Sequence, residues 1–528
     1  MKVIASILVN TLLDFVSLAA LLPVLYYLLE GMKNSQAALL FCGLAIGVIL
    51  LKCVLSTWLA RFQNRFLLNL YKRLSYSLYA SYYHRGLLFI REQGSNKLDY
   101  EVNAYCYAFS QSLLAPMAVV LGDGLLVLLV VCILLVYAPF TACILAAAFL
   151  PFLWTYTQVI RKRVKEYGKN EQMAKRAQYK LVGETFQGYA ELKVSNAFPL
   201  FSTQFLEGMQ KISDYRLKMI TLMRLPLLLS ELSVVIGLAF LVCWGTGDVK
   251  ILIGIFAVAA FRLLPAMRSI LAGWTQIQNS LYILEAIEEG LKTDPEEVAV
   301  GEVEELSFHQ AIELKDVSYT YPNGEQVLCH FHACIKKGEQ VGFCGYSGVG
   351  KSTLFNLLLG FLTPSSGRIT IDGLLLDQAT QTAWLKQVGY VSQEVFLFNG
   401  TLAENITIGC QDKDEERIRQ MLSAVSLLTW VDSLPDGIHT MLGERGCKLS
   451  GGQRQRIGIA RALYREIKVL FLDEATSSLD DDTEAEIMAT LMRLKEQYKS
   501  LTILSIAHRK SSLAQCDRII NLQEYAHE

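Results

Sequence analysis

The chain has 528 residues, 52% hydrophobic and 19% charged, with a formal net charge of −1. That balance gives no sign of a nucleic-acid partner, and the length is soft evidence for about three domain units. The 12 cysteines are scattered, with no Cys-x-x-Cys and no paired metal spacing. They are expected as free thiols in a core or facing lipid, not as metal ligands or disulfides.

Long apolar runs fill the first half. The first extends from Val3 to about Leu29. It is too long for a signal-peptide core, no small-residue cleavage site closes it, and it reaches the ~20 apolar residues that cross a bilayer. Six spans are expected, at about 4–29, 37–59, 113–136, 138–160, 222–244 and 250–273. The connections 30–36, 137–139 and 245–250 are short. The other two are long and basic: Arg61, Arg65, Lys72, Arg73, Arg85 and Arg91 follow the second span. Arg161, Lys162, Arg163, Lys165, Lys169, Lys175 and Arg176 follow the fourth. Positive charge collects on the cytoplasmic side, which puts both long connections and both termini there. Phe62, Phe66, Leu70, Leu74 and Leu78 keep a helical period. The membrane helices are therefore expected to continue into the cytoplasm, turn near 94–99 and near 188–195, and return.

Charges fall within the spans at Asp14, Lys52, Asp123, Glu231, Arg262 and Arg268. Ionisable groups at membrane depth are costly and face a bundle interior or a wet cavity. Arg262, Arg268 and Lys52 form a candidate cargo cavity for an anionic head group. The competing reading pairs these three bases with the three acids, or lets Lys52 and Arg268 snorkel. Residues 285–310 are acidic, are broken by Gly290, Pro295 and Gly301, and read as a solvated connector. The expected division is a six-helix transmembrane domain at 1–284, an acidic linker at 285–310 and a soluble α/β domain at 311–528.

In the soluble part, an apolar strand at 340–344 runs into Gly-Tyr-Ser-Gly-Val-Gly-Lys-Ser at 345–352, and a helical run follows. Strand, Gly-rich loop and helix is the context a phosphate-binding loop requires. Gly345, Gly348 and Gly350 let backbone N–H groups approach a phosphate, with Ser347 and Thr353 in the same cradle. The helix N-terminus adds its positive end. Lys351 is expected on the β- and γ-phosphates of ATP and Ser352 on Mg2+. Residues 469–474 read Val-Leu-Phe-Leu-Asp-Glu, a buried strand ending in two acids. Asp473 suits Mg2+, and Glu474 could take a proton from an attacking water. Gln393 follows a strand at 387–392, and its amide could reach the metal or the water. His508 follows a strand at 501–507 and is a candidate γ-phosphate contact, although an isolated His at a strand end is more often structural. Tyr321 offers an aromatic face for adenine. Leu-Ser-Gly-Gly-Gln at 449–453 is a second Gly-rich element. It points to a γ-phosphate held from two sides, and so to a second copy of the domain.

This set of motifs resembles the ATP-binding cassette exporters, in the half-transporter form that fuses one membrane domain to one nucleotide-binding domain. The resemblance covers nearly the whole chain. In the cassette it rests on the loop 345–352, Gln393, the signature 449–453, the strand 469–474, Ser-Leu-Asp at 478–480 and the switch His508. It implies a six-span helical membrane domain with long cytoplasmic extensions, plus an α/β P-loop NTPase cassette with a helical subdomain. It also implies that two cassettes close head to tail over ATP and Mg2+. Each ATP would lie between Lys351 of one copy and Ser450, Gly451, Gly452 and Gln453 of the other, with Asp480 communicating across the dimer. One of each element per chain favours a homodimer, with a heterodimer left open. Residues 443–446 resemble the loop that touches the cytoplasmic helices, and 183–193 resemble the second coupling turn.

Residues 261–269 resemble the lipid-linked oligosaccharide flippases of the superfamily, whose diphosphate-bearing cargo would suit Arg262 and Arg268. The implied function is an ATP-driven flippase that moves an amphipathic, anionic lipid-linked cargo out of the cytoplasmic leaflet, in a bacterial inner membrane. Alternatives are an exporter of drugs, peptides or other lipids, or a non-transport ATP-gated membrane protein; Glu474 and His508 argue for real turnover and against the last. Two departures from the family pattern are the first span beginning almost at Met1 and the chain stopping at Glu528, soon after a strand near 518–522. A trimmed end would bear on cassette stability, not on the catalytic residues.

Overall fold

The structure is a computed structural model describing residues 2–21, 23–24, 35–137, 139, 142–144, 147, 158, 160–244, 249–292, 306–443, 446–474, 481–507 and 513–525. The chain divides into two units, Met1–Pro295 and Glu296–Glu528.

The first unit is helical. Its elements are α1 (Lys2–Ala19), α2 (Ser35–His84), α3 (Gly86–Gln93), α4 (Ser95–Tyr100), α5 (Ala115–Tyr137), α6 (Arg161–Gln187), α7 (Tyr189–Val194), α8 (Phe198–Trp244), α9 (Val249–Ser280) and α10 (Tyr282–Gly290). Between α4 and α5 the chain stays helical, with wider π-type turns at Glu101–Tyr105 and Phe109–Leu114. Helix α2 holds 50 residues and α8 holds 47. At 1.5 Å per residue they are about 75 and 70 Å long, more than twice a ~30 Å hydrocarbon core, so each extends well beyond a membrane. The extensions turn at Gly94 (φ 77°), between α3 and α4, and across Gly188 and Asn196 (φ 50°), at the two ends of α7.

Among the described residues, four stretches are long and apolar enough to cross a membrane: Lys2–Ala19, Leu39–His84, Ser95–Val136 and Phe256–Ser280. The expected fifth span falls on α8, where Glu231–Phe240 is apolar but shorter. Most of the expected fourth span, 138–160, and most of the connections 30–36 and 245–250 lie outside the described residues. Where spans meet, small and polar groups allow close approach. Thr11 Oγ1 on α1 donates to Gly122 O on α5 at 3.3 Å. A Cβ on Gly237 of α8 would come within 2.8 Å of the Phe256 ring on α9. Phe256, Ala259, Ala260 and Leu263 pack in turn with Val130 and Leu134 of α5.

Helix α10 differs from the sequence expectation. Residues from 285 onward read as connector, yet Ile283 and Ile287 are buried and the helix runs to Gly290. Its C-terminal carbonyls are satisfied from the end of α2 and the residue after it, which is how helix ends avoid orphaned acceptors. Ser81 Oγ donates to Gly290 O at 2.7 Å, and the Arg85 guanidinium donates to Glu289 O and Gly290 O.

Among its described residues the second unit has two sheets. One is antiparallel, in the order β2 (Gln326–Lys336), β1 (Ala311–Thr320), β4 (Ser366–Ile371), β5 (Leu374–Leu375). The other is parallel, in the order β6 (Val388–Val391), β7 (Val469–Asp473), β8 (Thr502–Ile506), β3 (Gln340–Cys344), β9 (Arg518–Asn521). Strands β3, β7 and β8 are almost wholly buried, as expected of parallel strands covered on both faces. Helix α11 (Lys351–Leu358) lies on this sheet with Phe355 between Phe343 of β3 and Phe471 of β7, ring centroids 5.9 and 5.1 Å away. The other α-helices among the described residues are α12 (Gln378–Leu385), α13 (Leu402–Ile406), α14 (Glu415–Ala424), α15 (Leu428–Asp432), α16 (Gly451–Tyr464) and α17 (Asp481–Gln497). Leu402, Ile406, Ile418, Leu422, Ile457 and Ala460 share one buried cluster with Leu470 and Leu472 of β7, so the helical layer is continuous with the sheet core.

Candidate functional site

Strand β3 ends at Cys344, and the next eight residues form the Gly-rich loop and the start of α11. Gly350 has φ 100°, and a Cβ there would come within 2.5 Å of the Val327 side chain. Only glycine fits both demands. Lys351 is 5% exposed, and its ammonium donates to Gly345 O and Tyr346 O, each at 3.0 Å. Burial pushes its pKa down, while Glu474 and Asp473 oppose that shift. Ser347 and Ser352 are exposed at the loop, whereas Thr353 is buried. Thr353 Oγ1 meets the Tyr321 hydroxyl at 2.9 Å, and the Tyr321 ring stands edge-on to Tyr319 with centroids 5.0 Å apart. Tyr321 is thus tied to the first turn of α11 through its hydroxyl.

The acidic end of β7 faces polar groups from β6 and the loop after it. Tyr390 donates its hydroxyl to Asp473 Oδ2 at 3.1 Å, and Gln393 donates its amide to Glu474 Oε2 at 3.0 Å. Glu474 has a left-handed backbone, φ 49°, and its N–H donates to Ile506 O at 3.1 Å. Gln393 and Glu474, predicted separately, are brought together. Sequence reasoning missed Tyr390. It also missed Arg461 of α16, whose guanidinium holds Asn405 O and Phe396 O, each at 2.8 Å, and so ties the segment after Gln393 to the signature helix.

Ser450 is the N-cap of α16. Its hydroxyl accepts from Gln453 N–H at 3.2 Å, and the Gln453 side chain accepts from Ser450 N–H at 2.9 Å. This reciprocal box starts the helix at Gly451 and Gly452. Asp480 and His508 lie outside the described residues. The donor set of a Ser hydroxyl, a Gln amide oxygen and an Asp carboxylate is all oxygen, which suits Mg2+. One buried lysine and a loop turned at Gly345, Gly348 and Gly350, all at positive φ, suit the phosphates.

In the membrane unit the candidate cargo cations have acidic partners. Asp14 Oδ1 accepts from both Lys52 Nζ and the Arg262 guanidinium, each at 2.6 Å, which joins α1, α2 and α9. Arg268 pairs with Glu231 at 2.5 Å. Among the described residues, the Nε atoms of Arg262 and Arg268 are buried without a hydrogen-bond partner. Lys52 and Arg262 therefore converge on one carboxylate, while Arg268 is directed elsewhere.

A family model described as ABC transporter matches residues 328–477. The chain is 31% identical over 510 residues to an ATP-dependent lipid A-core flippase of Burkholderia pseudomallei (strain 1710b), covering 93% of this chain and 83% of that protein. It is 32% identical over 434 residues to a protein of the same name from Ralstonia nicotianae, covering 80% and 73%. The solved structure of a bacterial Atm1-family ABC exporter with ATP bound superposes with a TM-score of 0.84 at 23% identity, covering 100% of this chain and 94% of that one.

Proposed function

The chain belongs to the ATP-binding cassette transporter family, as a half-transporter exporter that couples ATP hydrolysis to movement across a membrane, and from that premise we propose the cargo and the division of labour among its residues. The protein is a multi-pass integral membrane protein that binds ATP with Mg2+. The proposed cargo is an amphipathic lipid with an anionic head group, moved out of the cytoplasmic leaflet of a bacterial inner membrane. The observation that carries this is the convergence of Lys52 and Arg262 on Asp14 Oδ1 within the spans. Two cations share one carboxylate here, and among the described residues Arg262 keeps a buried Nε donor without a hydrogen-bond partner. An anionic head group would give that donor an acceptor. The lipid cargo named for the flippase relatives supports the same class.

Half-transporters of this kind work as dimers, and the proposed assembly is a homodimer with both termini cytoplasmic. In each proposed ATP site, Lys351 holds the β- and γ-phosphates, while Ser352 and Asp473, with Gln393 in reach, hold Mg2+. Glu474 takes the proton of the attacking water, with Gln393 beside it. Ser450, Gly451 and Gly452 of the second copy close over the γ-phosphate, and Asp480 and His508 serve the same site. The proposed domain order is a membrane part that ends with α10 at Gly290, an acidic linker from there to 310 and a cassette at 311–528.

The test is ATPase activity and lipid flipping in nanodiscs and liposomes, with lipid A, a polyprenyl-pyrophosphate glycan and a neutral glycolipid in parallel. Stimulation by the anionic lipids, lost in Arg262→Ala, is expected. Equal stimulation by the neutral lipid, or full flipping by Arg262→Ala, overturns the cargo class.

A further inference from the structure

Strand β6 and the loop after it bring two polar side chains to the acidic end of β7. The Gln393–Glu474 pair belongs to the site described above. The second pair is Tyr390 with Asp473. In the parallel register, Tyr390 lies beside Phe471 and Val391 beside Leu472. Val388, Gly389 and Val391 are buried, whereas Tyr390 is 40% exposed. Tyr390 thus sits on the edge strand of the sheet, partly open to solvent and near the carboxyl ends of the strands. Strand side chains lean along the strand direction. A side chain as long as tyrosine can therefore span from a residue beside Phe471 to the last residue of β7, and its hydroxyl donates to Asp473 Oδ2 at 3.1 Å.

We propose that Tyr390 is a positioning residue for the metal: its hydroxyl holds one oxygen of the Asp473 carboxylate and thereby presents the other to the Mg2+ that accompanies ATP. This rests on the reading of Asp473 as the acid that serves Mg2+. A carboxylate at a strand end has two broad rotations about its last bond, and only some of them aim an oxygen at a cation. A hydrogen bond to one oxygen selects among them. Partners of this kind typically contribute tenfold to a hundredfold to metal affinity. Because Tyr390 is partly open to water, which competes for its hydroxyl, the low end of that range is expected.

The test uses the full-length protein in nanodiscs and a fluorescent ATP analogue whose binding is titrated with Mg2+. Tyr390→Phe removes the hydroxyl and keeps the ring. It is expected to raise the Mg2+ concentration for half-maximal tight binding by about tenfold, with metal-free nucleotide binding unchanged. Asp473→Asn serves as the reference and is expected to abolish the Mg2+ dependence. If Tyr390→Phe titrates like the wild type while Asp473→Asn is impaired, the role of Tyr390 is overturned and that of Asp473 stands. If Asp473→Asn also titrates like the wild type, the reading of Asp473 fails and the proposal fails with it.

Discussion

At Glu474 the backbone and the side chain make separate demands. A left-handed φ of 49° costs a long side chain about 1–3 kcal/mol, and it persists here because the residue's own N–H and its carboxylate are both held. Glu474→Gln keeps the shape and removes the base. Hydrolysis is expected to fall by about 10²–10⁴ while ATP stays bound, as read from phosphate release and retained nucleotide. Glu474→Gly removes the base and also the backbone penalty, so it is expected to be as inactive yet no less stable in a thermal melt. A Glu474→Gln enzyme that turns over at the wild-type rate would remove Glu474 from the mechanism. These acids were legible in the sequence because a buried strand ending in Asp-Glu, near a phosphate loop, has few other uses. Tyr390 was not. Its contact with Asp473 spans 83 residues of sequence and depends on the register between two strands, which no local spacing encodes.

Legibility among whole elements followed the length of the pattern. The long apolar run and basic extension of α2 and the basic stretch of α6 repeat over many turns and can be read directly. In α10 the buried positions Ile283, Ile287 and Gly290 keep a helical spacing, but they cover little more than two turns among Glu285, Glu288 and Glu289. A pattern so short is outweighed by its acidic neighbours. A Cβ on Gly290 would lie 2.3 Å from Leu78 Cδ1 and 2.8 Å from Tyr82 Oη. Gly290→Val is therefore expected to cost about 1–3 kcal/mol by forcing α10 off α2, seen as earlier unfolding and faster proteolysis near 290. In the cassette, Asp372 ties the strand that leads in to the turn after β4. Burial pushes its carboxyl pKa up, but N–H donors from Ala311, His309 and Gln310 overcome this and hold it below the usual carboxylate value. The folded state thus binds the proton more weakly than the unfolded chain does. The stabilisation is present above the ordinary carboxylate pKa and is lost as pH falls through the lower folded value. Asp372→Asn is expected to cost about 1–3 kcal/mol near neutral pH. Its melting curve should meet that of the wild type in strong acid, where the aspartate is also neutral. A constant gap across pH 3 to 7 would assign the loss to something other than this charge.

For the whole molecule, the distribution of motifs decides how many chains make a site. The signature at 449–453 starts α16 with its own capping box, Ser450 with Gln453, so the helix end is held by the chain's own groups. A helix N-terminus with two glycines is suited to an incoming phosphate. If that phosphate is held by Lys351 of a second copy, each site needs the loop of one chain and the signature of the other. Two variants separate this from a site built within one chain. Lys351→Ala disables the loop, and Ser450→Arg obstructs the signature. Alone, each gives dimers with no complete site. In mixed dimers of the two, one site combines both lesions, while the other pairs an intact loop with an intact signature. Phosphate release is expected to reappear on mixing and to follow the fraction of mixed dimers. A site confined to one chain has no such rescue, because every chain in the mixture carries a lesion. Absence of recovery at every mixing ratio, with both variants folded and co-assembled, would therefore overturn the head-to-tail arrangement. It would leave the capping box at Ser450 as a purely structural start to α16.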